Sequence, residues 1–192
     1  MIPKVFFIGM DNSSDQPLID LMLDSGCSVA SISSGRRNLA KTIKRNLVAG
    51  NDPLHTISDS NVYINMTYFE NDDYIEGNQY YRQLYEAYPD AYFILNCVTE
   101  AIFVENRMNT PLLEKCKEIM VAGKPLTTQE VVWNWITYRS QHHATVINWF
   151  FGDDIRAERF LILDVDYDNV SKMVNLVAKD YTLNIDNWIH SV

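Results

Sequence analysis

Positive charge is what this 192-residue chain has least of: 16 Lys and Arg stand against 25 Asp and Glu, for a net charge of −9. Neutralising a phosphate backbone takes a surplus of Lys and Arg, so the deficit excludes a general nucleic-acid binder. An anionic ligand would need positive charge gathered in one place. Cysteine is scarce too. Cys27, Cys97 and Cys116 are far apart, form no C-x-x-C pair, and read as free thiols of a reducing compartment. No Cys/His spacing points to zinc. No G-x-x-x-x-G-K-[ST] run is present, which sets aside an ATPase or a nucleotide kinase. No apolar run reaches the roughly 18 residues of a membrane span. The apolar stretch Val5–Met10 is too short for a signal-peptide core and leads straight into a polar loop. These absences together predict a soluble cytoplasmic protein. Repeats, low-complexity tracts and linkers are absent as well. With 47% hydrophobic residues, residues 1–192 are expected to form a single domain.

What is present is an alternation of two periodicities. Pro3–Ile8, Ser28–Ile32, Val62–Met66, Ala91–Cys97 and Arg159–Val165 are short apolar runs of the kind found in buried parallel strands. Between them lie helical patterns. Pro17 opens a helix whose face carries Leu18, Leu21 and Met22 and which ends at Gly26. Arg37–Ala49 places Leu39, Ile43 and Leu47 on one face before Gly50. Gln79–Tyr88 carries Tyr81, Leu84, Tyr85 and Tyr88 at i, i+3, i+4 and i+7. Glu100–Met108, Pro111–Val121, Gln129–Phe150 and Asn169–Lys179 are read as helices too. Strand–helix alternation throughout predicts a three-layer α/β fold, its mostly parallel sheet flanked by helices.

Three segments in this order resemble the compact P-loop sulfotransferase family. Asn38–Leu54 (NLAKTIKRNLVAGNDPL) is similar to the family's helix and Asp-Pro-Leu turn. Tyr80–Asn96 (YYRQLYEAYPDAYFILN) is similar to its Tyr-rich helix, Tyr-Pro and following strand. Tyr138–Phe150 with RFLILDV is similar to its Tyr-x-x-His-Asn helix and last strand. The resemblance runs from Pro3 to about Leu183. It implies transfer of a sulfuryl group from 3'-phosphoadenosine-5'-phosphosulfate (PAPS) to a hydroxyl or amine of a small-molecule or glycan acceptor. The product is 3'-phosphoadenosine-5'-phosphate (PAP), and no metal is called for. It places the 5'-phosphosulfate at the first strand–loop–helix. The 3'-phosphate goes to the end of the Ala91–Cys97 strand and the helix after it.

Both donor motifs depart from the family pattern. The first, close to Gly-x-x-Lys-x-Gly-Thr-Thr-Ser, keeps Gly9. It has Asn12 in place of Lys, Ser14 in place of Gly, and Asp15 and Gln16 in place of the two Thr. Backbone amides at the helix start, with the Ser13 and Ser14 hydroxyls, can still receive an anion; a solvated turn capping the Pro17 helix is the alternative. In the second, Val98-Thr99 replace Arg-Asp, Phe103 replaces Trp and Asn106 replaces Ser. Phe103 can stack on a base, Asn106 can bind a phosphate oxygen, and Arg107 one position on is a compensating cation. Each lost charge-assisted contact costs roughly 1.5–3 kcal/mol, so two cost about 3–6 kcal/mol, roughly two to four decades of affinity. Arg36, Arg37, Lys41, Lys44 and Arg45 form the densest basic stretch and are the source of replacement charge, with Arg36 named for the donor. For the general base, Asn65 stands where many members carry Asp, leaving Glu70, in a loop shared with Asp72, Asp73 and Glu76, and His142, which matches the family's His; plain loop charge is the alternative for Glu70 and a structural hydrogen bond for His142. Loss of catalysis, with another anionic ligand or a protein partner bound on the same frame, is the rival reading.

Overall fold

The structure is a computed structural model that describes residues 2–10, 15–31, 33–34, 37–70, 73–118, 120–121, 124–165, 170–186 and 188. Of 33, 34, 37, 69, 70, 73, 120 and 121, only the backbone is described. The strands in chain order are β1 (Val5–Phe7), β2 (Val29–Ala30), β3 (Ser33–Ser34), β4 (Arg37–Asn38), β5 (Val62–Tyr63), β6 (Thr67–Glu70), β7 (Asp73–Glu76), β8 (Tyr92–Cys97), β9 (Met120–Val121), β10 (Lys124–Pro125) and β11 (Phe160–Asp164). The helices are α1 (Asp15–Asp24), α2 (Leu39–Val48), α3 (Tyr81–Ala87), α4 (Glu100–Met108), α5 (Leu112–Glu118), α6 (Thr128–Phe151), α7 (Asp154–Ala157) and α8 (Ser171–Val177).

β11, β8, β1, β5 and β2 form a five-stranded sheet in that order, with every pairing parallel. The predicted α/β class with a mostly parallel sheet is therefore observed. Period-2 alternation divides the strands between two cores. Phe6, Ile8, Tyr63, Phe93 and Leu95 face one side and pack on Leu39 and Ile43 of α2, Leu84 of α3, and Val146 and Phe150 of α6. Val5, Phe7, Val62, Ile64, Tyr92 and Ile94 face the other and meet Leu18, Leu21 and Met22 of α1 and Met173 and Val177 of α8. Helices thus cover both faces of the sheet.

Helix boundaries follow local capping chemistry. Asn38 caps α2 by accepting from Lys41 N, and Thr99 caps α4 by accepting from Ile102 N. Thr127 and Glu130 form a reciprocal capping box at α6. At 24 residues, α6 is about 36 Å long. It reaches from the main core to a third cluster, Val98, Phe103, Leu112, Val131 and Trp135, beyond the end of β8.

The segment expected to be helical over Pro111–Val121 ends at Glu118, and Met120–Val121 pairs antiparallel with Lys124–Pro125. The acidic stretch after β5, read as a loop, is the antiparallel hairpin β6–β7. Its first half buries Tyr68, and its second half buries Ile75 and Glu76.

Candidate functional site

Strand order fixes where a ligand can sit. After β1 the chain moves to β2 at one edge, and after β8 it moves to β11 at the other. β1 and β8 are neighbours whose connections leave in opposite directions, so a crevice opens at their carboxyl ends. Gly9, Met10, Asp15, Asn96 and Arg107 border it.

The backbone there is tightly constrained. A Cβ on Gly9 would fall 1.7 Å from the carbonyl oxygen of Asn96, so only glycine fits. Gly9 N donates to Asn96 Oδ1 at 3.0 Å, and Asn96 Nδ2 donates to Asp15 Oδ1 at 3.1 Å. Asp15 is 3% exposed and is the first residue of α1, where the helix dipole favours a negative group. Asn78 Nδ2 donates to Gly9 O. His142 Nε2 donates to Ile8 O at 2.8 Å. Three side chains, Asn78, Asn96 and His142, thus grip the turn after β1, and Asp15 holds Asn96 in place.

Beside the turn stands an ion pair. Arg107 Nη2 lies 2.9 Å from Glu76 Oε1, with the two side chains 11% and 1% exposed. Thr67 Oγ1 donates to Glu76 Oε2 at 2.9 Å, and the Tyr74 hydroxyl donates to Glu76 Oε1. Arg107 also donates from Nη1 to the Tyr74 oxygen at 2.8 Å and from Nη2 to Met10 O at 3.3 Å. The last bond ties α4 to the residue after Gly9. Aromatic rings surround the guanidinium, with Phe103 at 4.7 Å and Trp135 at 5.9 Å.

A hollow of about 520 Å³ opens over this pair. Tyr74, Trp135 and Tyr138 supply aromatic walls, and Gln79, Asn134 and Gln141 supply amides. Glu76 and Arg107 are its charged groups and cancel. Burial, then the negative charge of Glu76, raises the Tyr138 phenol above its ordinary value, so it stays a neutral donor. Burial likewise raises the Cys116 thiol on the same wall. Such a chamber suits an uncharged or singly charged ligand with hydroxyl or amine groups. Among the described residues, no group of three or more His, Cys, Asp or Glu side chains is placed to hold a metal.

The residues singled out in the sequence fall into three sets. Gly9, Arg107 and His142 come together at the crevice. Arg107 is already matched by Glu76. His142 reaches back to the β1 backbone, as a brace between α6 and the turn. Phe103 is 2% exposed and lies between the guanidinium groups of Arg107 and Arg139, at 4.7 and 5.0 Å. In this conformation cations, not a base, cover its ring. Asn106 is exposed on the surface of α4. Asn12, Ser13, Ser14 and Arg36 lie outside the described residues, and for Glu70 only the backbone, opposite Asp73, is described. Lys41, Lys44 and Arg45 are exposed along α2, where Lys41 sits 4.9 Å from the Tyr68 ring.

Two features escaped sequence reasoning. The Glu76–Arg107 pair spans 31 positions, and no local pattern announces it. The hairpin that buries Glu76 did carry a signal: two four-residue runs flanking Asn71-Asp72, a turn-forming dipeptide.

No helix among the described residues is long and apolar enough to cross a membrane. No protein-family model matches the chain, and no curated protein matches it.

Proposed function

We propose that the chain has the P-loop sulfotransferase type of α/β fold and transfers a sulfuryl group from PAPS to a hydroxyl or amine. The observation that carries this reading is the neutral, amide- and aromatic-lined hollow over Glu76 and Arg107, joined through Met10 to the turn after β1. The donor would lie along that turn and the start of α4. The acceptor would enter the hollow with its hydroxyl or amine toward Met10. In transfer, the acceptor oxygen or nitrogen bonds to sulfur as the bond from sulfur to the 5'-phosphate oxygen breaks. PAP leaves, and the acceptor proton passes to a base or to water.

Two tests bear on it. Calorimetric titration with PAP is expected to show saturable heat, and Arg107→Met is expected to weaken it by about tenfold, the loss of one charged contact. Conversion of PAPS to PAP should then rise when hydroxyl- or amine-bearing acceptors are added. Absence of PAP binding ends the transferase reading.

One observation favours a second reading, in which the frame binds a ligand without sulfuryl transfer. The buried Asp15 carboxylate occupies the helix start where a sulfate would sit, and Arg107, the cation bonded to the turn through Met10 O, is held by Glu76. A dianion placed there meets a buried negative charge, which costs several kcal/mol, on the order of 3–5. Asp15→Asn separates the two readings: under the transferase reading PAP binding changes little, and under the second PAP binds only once the carboxylate is gone.

A further inference from the structure

The first half of α6 is apolar on more than its buried face. Val131 and Trp135 turn inward to the third cluster, Val132 packs at that cluster's margin, and Trp133 and Ile136 extend the apolar surface outward from it. Trp133 is 68% exposed, and Met108 of α4 across from that surface is 42% exposed. Between the helices runs a hollow of about 510 Å³, and a second of about 350 Å³ continues from it over α6 alone, past Trp133; the two share Val132 and Ile136. Leaving an indole and a thioether in water forfeits burial energy, and contiguous exposed apolar surface of this kind marks recognition sites. A central aromatic is the residue type that dominates such interfaces.

The rim decides the occupant. Glu100, Glu105 and Glu130 line the two hollows, and among the described residues no Lys or Arg does. A second copy of the chain, itself at net charge −9, would bring the same glutamates against their own kind in a two-fold interface. A lone polar ligand would leave the apolar floor unmatched. A cationic amphipathic helix fits both, its apolar residues at i, i+3, i+4 and i+7 on Val132, Trp133, Ile136 and Met108 and its Lys or Arg against the rim.

We infer that the α4–α6 groove is a docking surface for a basic amphipathic helical segment of a partner protein. Among the described residues Asn134 alone borders both this groove and the Glu76–Arg107 hollow, so partner and small ligand can be bound together.

The test titrates the full-length protein with a synthetic helix of roughly 18 residues, with Leu at the i, i+3, i+4, i+7 positions and Lys elsewhere, against a twin carrying Glu for Lys. The Lys peptide is expected to bind with a blue shift of indole emission that Trp133→Phe removes. Trp133→Ala, Met108→Glu and Glu105→Lys, all at exposed positions, are each expected to weaken binding by about tenfold. Glu86→Lys, the same charge change on exposed α3 outside the groove, is expected to move it by less than about threefold. Three results overturn the inference: no binding of the Lys peptide; equal losses from Glu86→Lys and Glu105→Lys, which reduce the effect to bulk charge; or a dimer in light scattering that Trp133→Ala abolishes, which gives the groove to a second copy.

Discussion

The amino and carboxyl edges of the central sheet are built from the same five strands and are finished in opposite ways. At the amino edge, polar groups close on one another. Lys4 Nζ donates to Ser58 O and Ser60 O at 2.9 and 2.8 Å, and Arg159 Nη1 donates to Asp90 O at 2.7 Å. The Tyr92 hydroxyl donates to Asp180 at 2.6 Å, and that of Tyr181 to Pro3 O. At the carboxyl edge, the amide oxygens of Asn65 and Asn78 are buried without a hydrogen-bond partner among the described residues. A hollow also stands open there over a buried ion pair. Each unsatisfied buried acceptor costs about 1–3 kcal/mol. One edge is thus optimised for stability, and the other holds polar groups in reserve at the position where α/β sheets bind ligands.

The contrast can be broken most severely at Gly9. Gly9→Ala drives a methyl group into the Asn96 carbonyl between two central strands, and neither backbone can give way without losing the β1–β8 ladder. The expected loss is roughly 3 kcal/mol or more, read as a large fall in the denaturant midpoint. An alanine variant as stable as the parent would show that the two strands do not approach so closely.

Next comes the ion pair. Arg107→Ala leaves the Glu76 carboxylate buried with its Thr67 and Tyr74 hydrogen bonds but no counter-charge, at a cost of roughly 3 kcal/mol. The double variant Glu76→Leu/Arg107→Met is expected to recover most of that stability while abolishing ligand binding in the hollow. This outcome marks the pair as functional in purpose. If the double variant is as unstable as the single one, the pair belongs to the framework.

The amino edge is tested by pH. Burial raises the Tyr63 phenol well above its ordinary value of 10, and its hydroxyl donates to Ile57 O at 2.7 Å. Between 10 and the raised value, the unfolded chain gives up the proton and the folded one keeps it. The stability of the neutral phenol is therefore complete below pH 10 and declines above it. Tyr88 and Tyr181, raised chiefly by burial, add to the same decline. Lys4, lowered chiefly by burial, acts in the opposite sense, so its contribution improves as pH rises toward 10.5. Tyr63→Phe is expected to cost about 1 kcal/mol at neutral pH and to flatten the alkaline fall. An unchanged slope would place the titrating group elsewhere.

The smallest effect is at the far end of α6. Thr127→Ala removes half of the capping box and should cost about 1 kcal/mol in thermal unfolding without touching the hollow. A change in ligand affinity in that variant would show that the start of α6 is coupled to the site.

Much of the frame was legible because its signals are local. Ala91–Cys97, read as a strand, is β8 at Tyr92–Cys97, and Glu100–Met108, read as a helix, is α4. The helix read over Gln129–Phe150 is α6 with one residue added at each end. The register of apolar residues decides such elements, and it is written in the chain itself. The site was less legible because its geometry is non-local. Arg107 was singled out as a spare cation, yet Glu76 comes to it from a hairpin read as a loop. For His142 the sequence offers proton transfer or a structural hydrogen bond, and its Nε2 donates to the backbone of Ile8, a partner 134 positions away that no local pattern names. Residue type identified these positions; which partner each would meet depended on strand order, and no window of sequence contains that.

The most direct test of the division between the two edges is a map of backbone amide shifts during titration with PAP. The predicted result is a set of changes confined to Ile8–Met10, Tyr74–Gln79, Asn96–Thr99, Arg107 and Tyr138. Largest changes at Lys4, Ser60 or Arg159, or a spectrum unmoved by millimolar PAP, would contradict it.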